Sequence, residues 1–236
     1  MRIKNLKIII NKKIMETFYD FDAPRIPLIW EDAPAFSWPS TTWAIKFPED
    51  YKWKWVVLFS HPADFTPVCT TEFIAFQAKK TEFDKRWVDL IWYSVDWIHS
   101  HIAWVHNIKE KMWVDITFPI IAQPSIAKDY WMIHPSNDDS HTVRALFIID
   151  PKWKIASLMY YPSSNWRNID EILRLVDSLQ MTANNWRATP ANWPNNDIFW
   201  DDVIVPPAEN LADAKANPEK FENKDWYLCT EKNPNS

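Results

Sequence analysis

The sequence predicts an α/β fold, in which helices cover both faces of a mixed sheet, followed by a small second domain. Three observations lead to this prediction. A near-continuous apolar run over residues 55–61 is typical of a strand buried on both faces. Segments with the apolar spacing of amphipathic helices alternate with further strand-like runs. From Thr189 onward, proline, asparagine and aspartate become frequent, which indicates a domain boundary near residue 188.

The first half of the larger domain has the order β-α-β-α. After the strand at 55–61, a helix is predicted over residues 69–86, since phenylalanines recur on one of its faces. A second strand over 88–95 and a second helix over 98–112 follow. The apolar face of the second helix is predicted to carry Ile98, Ile102, Val105 and Ile108. Its histidines are predicted to lie on a solvated face, at positions 99, 101 and 106.

The second half has an antiparallel β-β-α order. A short strand over residues 118–122 and a helical turn over 125–130 precede two strands, over 143–150 and 154–161, and a closing helix is predicted over 168–181. This order of elements describes a thioredoxin-like sandwich. In such α/β sheets, reactive groups gather at the carboxyl ends of strands and the amino ends of helices.

Composition and charge limit the class of protein. We expect an N-terminal extension over residues 1–23, the thioredoxin-like domain over 24–188 and a mostly irregular C-terminal domain over 189–236. The net charge of −5, without a basic run among aromatic residues, argues against nucleic acid as a partner. Apolar stretches of only about eight residues argue against a membrane span. Two cysteines far apart favour reactive thiols in a reducing compartment, the cytoplasm.

Glycine is absent and tryptophan is abundant. The chain has 0 Gly and 17 Trp, whereas ordinary usage of about 7% predicts roughly 16 glycines. Tryptophan occupies places where turn chemistry favours Gly, for example Trp153 between two predicted strands. We hypothesise that about 13 of the tryptophans stand where a parent sequence had Gly. The four tryptophans interpreted as original are Trp55, Trp104, Trp193 and Trp226.

The segment HPADFTPVCTTE places Cys69 in the first turn of the first predicted helix. Unpaired amides and the helix dipole favour an anion there, and so favour the thiolate, which is the nucleophilic form. The Thr66 hydroxyl can turn toward the sulfur, and Pro62 can exclude water. Arg144 opens a strand of the same sheet, where its guanidinium can hold the thiolate and an oxygen-rich substrate.

These groups fit attack by a thiolate on a weak oxygen–oxygen bond, with a sulfenic acid as product. The stretch from Pro62 to Cys69 resembles the Pro-x-x-x-Thr-x-x-Cys signature of the peroxiredoxins. Four blocks in order resemble the peroxiredoxin-6 type subfamily, which includes one-Cys enzymes: LFSHPADFTPVCTTE, SVDWIHSHIAWVHNI, RALFIIDP and YYPSSNWRNIDEILR. The resemblance extends over residues of about 24–230.

The resemblance implies a role for several residues. Cys69 is the implied peroxidatic cysteine, with Thr66 and Arg144 as activating partners and Pro62 as the shield. Three further residues are implied neighbours of the substrate pocket, namely His61, Glu72 and Arg167. The C-terminal domain would dock on another subunit and give a homodimer or a ring of dimers. A peroxide is the implied substrate, and an external thiol, thioredoxin-like or small, is the implied reductant.

Some alternatives stay open at this point. Cys229 is either a resolving cysteine or a packed residue on a short strand. The histidines of the second helix lack the spacing of a helical metal site, so neither a metal nor another cofactor is predicted. A thioredoxin-like disulfide oxidoreductase would require Cys-x-x-Cys, whereas Cys69-Thr-Thr-Glu72 has a single cysteine. A non-enzymatic redox sensor or oligomeric holdase, switched by oxidation of Cys69, is the remaining alternative.

Overall fold

The computed structural model describes residues 25–234, so the extension predicted over residues 1–23 lies outside the described residues. A hairpin comes first, formed by β1 (Phe36–Pro39) and β2 (Ala44–Phe47). The central mixed sheet follows and consists of β3 (Trp55–Ser60), β4 (Val88–Tyr93), β5 (Ile120–Ile121), β6 (Arg144–Ile149) and β7 (Ile155–Tyr161). Its spatial order is β5-β4-β3-β6-β7, with β4 parallel and β6 antiparallel to β3. The predicted order of the strands in the central sheet is confirmed, whereas the hairpin before it was not predicted.

Burial explains why β3 and β6 occupy the centre of the sheet. Every residue of β3 and of β6 is buried, as expected for apolar strands covered on both faces. One apolar core lies on the face that carries Val57 and Phe59, and a second lies on the face that carries Val56 and Leu58. The ends of β3 and β6 therefore emerge from a buried apolar layer.

The helices between and after the strands of the central sheet are α1 (Pro67–Ala78), α2 (Lys80–Lys85), α3 (Ile98–Met112), α4 (Pro124–Asp129) and α5 (Ile169–Asn185). The single helix predicted over residues 69–86 is therefore two helices, which meet at Lys79. Phe76 and Phe83, one on each side of the break, both enter the same core, with their ring centroids 6.0 Å apart. Within residues 25–234, no helix has the length and apolar character needed to cross a membrane.

The buried face of α3 differs from the predicted one. The structure buries His101, Trp104 and Ile108, which are three and four residues apart, whereas Ile102 is exposed. The prediction that His101 is solvated is wrong, while His99 and His106 are exposed as predicted. His101 tolerates burial because an aspartate carboxylate accepts its ring N–H.

The C-terminal segment, predicted to be mostly irregular, contains ordered elements. They are β8 (Val203–Ile204), α6 (Leu211–Lys220), β9 (Glu222–Asp225) and β10 (Leu228–Glu231), and the strands form a small sheet in the order β8-β10-β9. All residues of β9 are exposed and β8 has only two residues, so the segment lacks the alternation that reveals a strand in a sequence. A cluster of Met181, Trp193 and Val203 joins this region to α5.

Tryptophan occupies most of the left-handed backbone positions. Among residues 25–234, positive φ occurs at ten non-glycine residues, of which eight are Trp: Trp30, Trp53, Trp87, Trp113, Trp131, Trp153, Trp186 and Trp200. Trp113 and Trp186 terminate α3 and α5 with φ of 57° and 53°, where helices commonly carry glycine. None of the four tryptophans interpreted as original has positive φ. The backbone therefore supports the distinction between the two groups at these eight positions.

Candidate active site

Cys69 lies in the first turn of α1, where the chain leaves the carboxyl end of β3. Thr66 is the N-cap residue of α1 and Pro67 is its first residue, as expected for the fixed φ of proline. The Cys69 side chain belongs to the core on the α1 face of the sheet and is 1% exposed. The helix start therefore places a thiol next to free backbone amides in a nearly dry environment.

Arg144 brings a positive charge to the sulfur. Its Nη1 lies 3.3 Å from Cys69 Sγ and 2.8 Å from Glu72 Oε2. Its Nε and Nη2 donate to the Ser163 carbonyl oxygen at 3.0 and 2.8 Å. Because Arg144 is the first residue of β6, which pairs with β3, the sheet fixes the guanidinium against the start of α1.

Glu72 connects Arg144 to a second arginine. The Arg167 backbone N–H and Nε donate to Glu72 Oε1 at 2.9 and 3.0 Å, and its Nη2 donates to Oε2 at 2.8 Å. Burial alone would raise the pKa of the Glu72 carboxyl, but Arg167 and then Arg144 outweigh it and hold this pKa below its ordinary value. The carboxylate is therefore charged at neutral pH and balances one of the two arginines.

The four groups form a charge cluster that consists of Cys69, Glu72, Arg144 and Arg167. With Cys69 as a thiolate, two negative groups face two positive ones, so the burial of each charge is compensated by neighbours. Arg167 also donates to the Ala145 carbonyl oxygen at 2.8 Å, and its guanidinium carbon lies 5.3 Å from the Phe59 ring centroid. A surface cavity of about 500 Å³ borders the cluster at Glu72 and Arg167.

Thr66 and Pro62 belong to the turn between β3 and α1, whereas the hydrogen bond to the sulfur comes from Arg144. The Thr66 hydroxyl donates to the Ala63 carbonyl oxygen at 2.9 Å and does not cap α1. Pro62 is half-buried in the same turn. The hydroxyl therefore closes the turn in this state, and the first amides of α1 are left without a side-chain cap from Thr66.

His61 lies in a separate buried cluster. Its Nε2 is 2.8 Å from Asp64 Oδ1, and His101 Nδ1 is 2.8 Å from Asp64 Oδ2. Phe73, one turn after Cys69, packs edge-on against the His61 ring with centroids 5.6 Å apart. Burial lowers the pKa of His61. Burial would raise the pKa of Asp64, but the two imidazole N–H groups outweigh it and lower this pKa.

Sequence reasoning missed Asp64, Asp96 and His101. A sequence signal was present for His101, since it continues the stripe of Trp104 and Ile108 by three residues toward the helix start. Side-chain donor atoms of His61, Asp64 and Asp96 lie within 4.8 Å of one another, a spacing that a metal site requires. These groups already bond to protein partners, since His61 pairs with Asp64 and Asp96 accepts from Ser94 Oγ at 2.7 Å.

Cys229 lies in β10 of the small C-terminal sheet, and its hydrogen-bond partners do not belong to the charge cluster. Its Sγ faces the carbonyl oxygens of Asp225 and Trp226 at 3.7 and 3.8 Å, and the residue is 3% exposed. Both cysteines are free thiols. Of the predicted site residues, the structure thus brings together Cys69, Arg144, Glu72 and Arg167, with His61, Pro62 and Thr66 alongside and Cys229 elsewhere.

Comparison with known proteins connects this geometry to a family. The model of the AhpC/TSA family matches residues 29–158. A peroxiredoxin of Aquifex aeolicus is 51% identical over 88% of this chain and 97% of its own length, and one of Thermotoga maritima is 48% identical over 88% and 98%. The solved yeast mitochondrial 1-Cys peroxiredoxin superposes with a TM-score of 0.75 at 41% identity, covering 88% of this chain and all of the other. A mutant of the peroxiredoxin 6 of Arenicola marina gives a TM-score of 0.77 at 36% identity, over 89% and 99%.

Proposed function

The chain belongs to the AhpC/TSA family and is a thiol-dependent peroxidase, and we propose that Cys69 is the residue that attacks the peroxide. The observation that supports this assignment is the position of Arg144 Nη1, 3.3 Å from a sulfur in the first turn of a helix. Both the guanidinium and the helix amides stabilise negative charge at that point. Arg144, Glu72 and Arg167 are proposed to hold the charge pattern, and Thr66, Pro62 and His61 to shape the turn around it.

The proposed chemical step is a two-electron transfer. The Cys69 thiolate attacks one peroxide oxygen, so that a sulfur–oxygen bond forms while the oxygen–oxygen bond breaks. Sulfur is oxidised to a sulfenic acid, and the departing oxygen is reduced to hydroxide or alkoxide, which takes a proton from water. Arg144 stabilises the charge as it moves from sulfur to oxygen, because its donors are fixed before the reaction begins.

We propose that an external thiol completes the cycle. A first thiol condenses with the sulfenic acid to give a mixed disulfide and water, and a second thiol releases Cys69 and leaves as a disulfide. Burial of Cys229, with its Sγ facing two backbone carbonyl oxygens, argues against it as the resolving thiol. Substrates are proposed to be hydrogen peroxide and organic hydroperoxides.

Assembly and location are further parts of this proposal. The C-terminal region after α5 is proposed to dock on a second copy of the chain, giving a homodimer or a ring of dimers. This region has its own small sheet and packs on α5 through an apolar cluster, so it offers a surface for docking that is separate from the central sheet. The two free cysteines fit a reducing compartment, and we propose the cytoplasm.

Peroxide consumption with dithiothreitol tests the assignment of Cys69. We expect Cys69→Ser to lose at least about 1000-fold in rate, since the nucleophile is removed. Cys229→Ser is the matched control and should retain the wild-type rate, because dithiothreitol replaces any resolving thiol. A Cys69→Ser protein that keeps consuming peroxide would overturn the assignment, and loss of activity in Cys229→Ser would assign a catalytic role to Cys229.

A further inference from the structure

His101, which the peroxidase step does not use, bonds to the turn between β3 and α1. The Asp64 carboxylate, in the middle of this turn, receives His61 Nε2 on one oxygen and His101 Nδ1 on the other, each at 2.8 Å. All three side chains are almost fully buried, at 0, 2 and 0% exposure for His61, Asp64 and His101. His101 thus links α3 to the turn that leads into Cys69.

The backbone of the same turn is fixed from the same side. The Asp64 N–H donates to Asp96 Oδ2 at 3.0 Å, and Asp96 is anchored by Ser94 Oγ at 2.7 Å. The next residue, Phe65, has φ of 54° and an exposed ring. A non-glycine residue pays a conformational penalty in this region, so the bonds to Asp64 are needed to hold the chain there.

We propose that His101 is a positioning residue, which acts through Asp64 to fix the turn over residues 61–66 and so aligns Cys69 with Arg144. This inference rests on the proposed role of Cys69. The turn enters α1 at Pro67, only two residues before Cys69. Displacement of reacting atoms by about 1 Å can slow a reaction about 100-fold, so a remote bond at Asp64 can control the rate.

Two amide replacements of His101 test the proposal. The side-chain amide of Asn can occupy the place of Nδ1 and still donate to Asp64, whereas that of Gln lies farther from the backbone. We expect His101→Gln to slow the reaction of Cys69 with hydrogen peroxide by about 10- to 100-fold, and His101→Asn to recover most of the rate. His99→Gln, on the exposed side of α3, is the control and should match the wild type.

Readouts besides turnover separate positioning from stability. The rate of Cys69 alkylation by iodoacetamide and the midpoint of urea unfolding are measured for each variant. Equal rates for the Gln and Asn variants, or rates that only follow the unfolding midpoint, would overturn the positioning role. If wild-type turnover does not depend on Cys69, the proposed function fails instead, and the Cys69→Ser result distinguishes that case.

A second inference rests on the backbone at the eight tryptophans with positive φ. These tryptophans are Trp30, Trp53, Trp87, Trp113, Trp131, Trp153, Trp186 and Trp200. All of them except Trp153 are exposed, so the indole rings gain little by packing. Glycine is the residue that adopts this backbone without steric cost, yet the chain has 0 Gly.

We infer that the codons at these eight positions are read as glycine where the protein is made. This inference predicts that all eight positions share one codon and that Trp55 and Trp104 have a different one. Trp55 and Trp104 are the comparison because they lie in a regular strand and a regular helix. Peptide mass spectrometry of the protein from its native cells should find glycine at the eight positions and tryptophan at Trp55 and Trp104. Tryptophan at the eight positions in that protein, or one codon common to both groups, would overturn the inference.

Discussion

The charge cluster around Cys69 and the surface turns that carry tryptophan both contain residues in unfavourable settings. In the cluster, the buried Glu72 accepts hydrogen bonds from four donor groups, one of Arg144 and three of Arg167, so its burial is compensated. Trp113 and Trp186 hold left-handed backbone with side chains that are 88% and 85% exposed, so packing compensates little. The difference shows that an energetically unfavourable residue is compensated in this fold where residues from distant segments bond to it.

The largest effect is expected when the compensation in the cluster is removed. Glu72→Ala leaves two buried arginines without their carboxylate, which should lower the free energy of unfolding by about 3–5 kcal/mol. Urea unfolding measures this loss. The control is Glu82→Ala, because Glu82 pairs with Lys85 and Arg86 at the surface and such pairs contribute at most about 1 kcal/mol. Similar losses in the two variants would contradict the contrast.

Acid should remove the stabilisation that the buried carboxylates of Glu72 and Asp64 provide. The pKa values of Glu72 and Asp64 are both lowered in the folded state, while the unfolded values are about 4. Their stabilisation is therefore fully present above about pH 4 and is lost as the pH falls through the lower folded-state values. Urea unfolding at a series of pH values should give a shallower acid slope for Glu72→Gln than for wild type, and parallel slopes would contradict this account.

A smaller effect of opposite sign is expected in the turns. Trp113→Gly and Trp186→Gly should each raise the free energy of unfolding by about 1–2 kcal/mol, because glycine relieves the left-handed strain at a helix end. Thermal or urea unfolding measures the gain. Trp97→Gly is the matched control, since Trp97 is also exposed but has φ of −74°. A gain at Trp97 as large as at Trp113 would mean that backbone conformation is not the cause.

The smallest expected change compares two helix starts. Asn168 caps α5 by accepting from the Asp170 and Glu171 N–H groups at 3.0 and 3.3 Å, whereas Thr66 does not cap α1. Asn168→Ala should therefore lower the free energy of unfolding by about 1 kcal/mol and leave the peroxidase rate unchanged. Thr66→Ala should lower that rate. If Thr66→Ala leaves the rate at the wild-type value, Thr66 has no part in the site.

Sequence patterns predicted the elements of the central sheet well because their signals are local. The apolar runs at β3 and β6 and the apolar stripe of α5 are visible within single windows, and each of these elements is present. The prediction was wrong at Lys79, where one helix becomes two, and in the tail, where short exposed strands pair with one another. Hydrogen bonding between neighbours, rather than a periodic pattern, defines the elements of the tail.

By itself, the sequence determined that Cys69 lies in the first turn of a helix that follows a buried strand, since Thr66, Pro67 and the apolar run before them act within a few residues. Tertiary structure alone decided that Glu72 bonds to Arg144 and Arg167, which lie 72 and 95 residues away. It also decided that His101 is buried against Asp64, 37 residues away. The physical reason is that a buried charge needs specific partners, and the packing of β6, α3 and α5 around the start of α1 determines which groups arrive there.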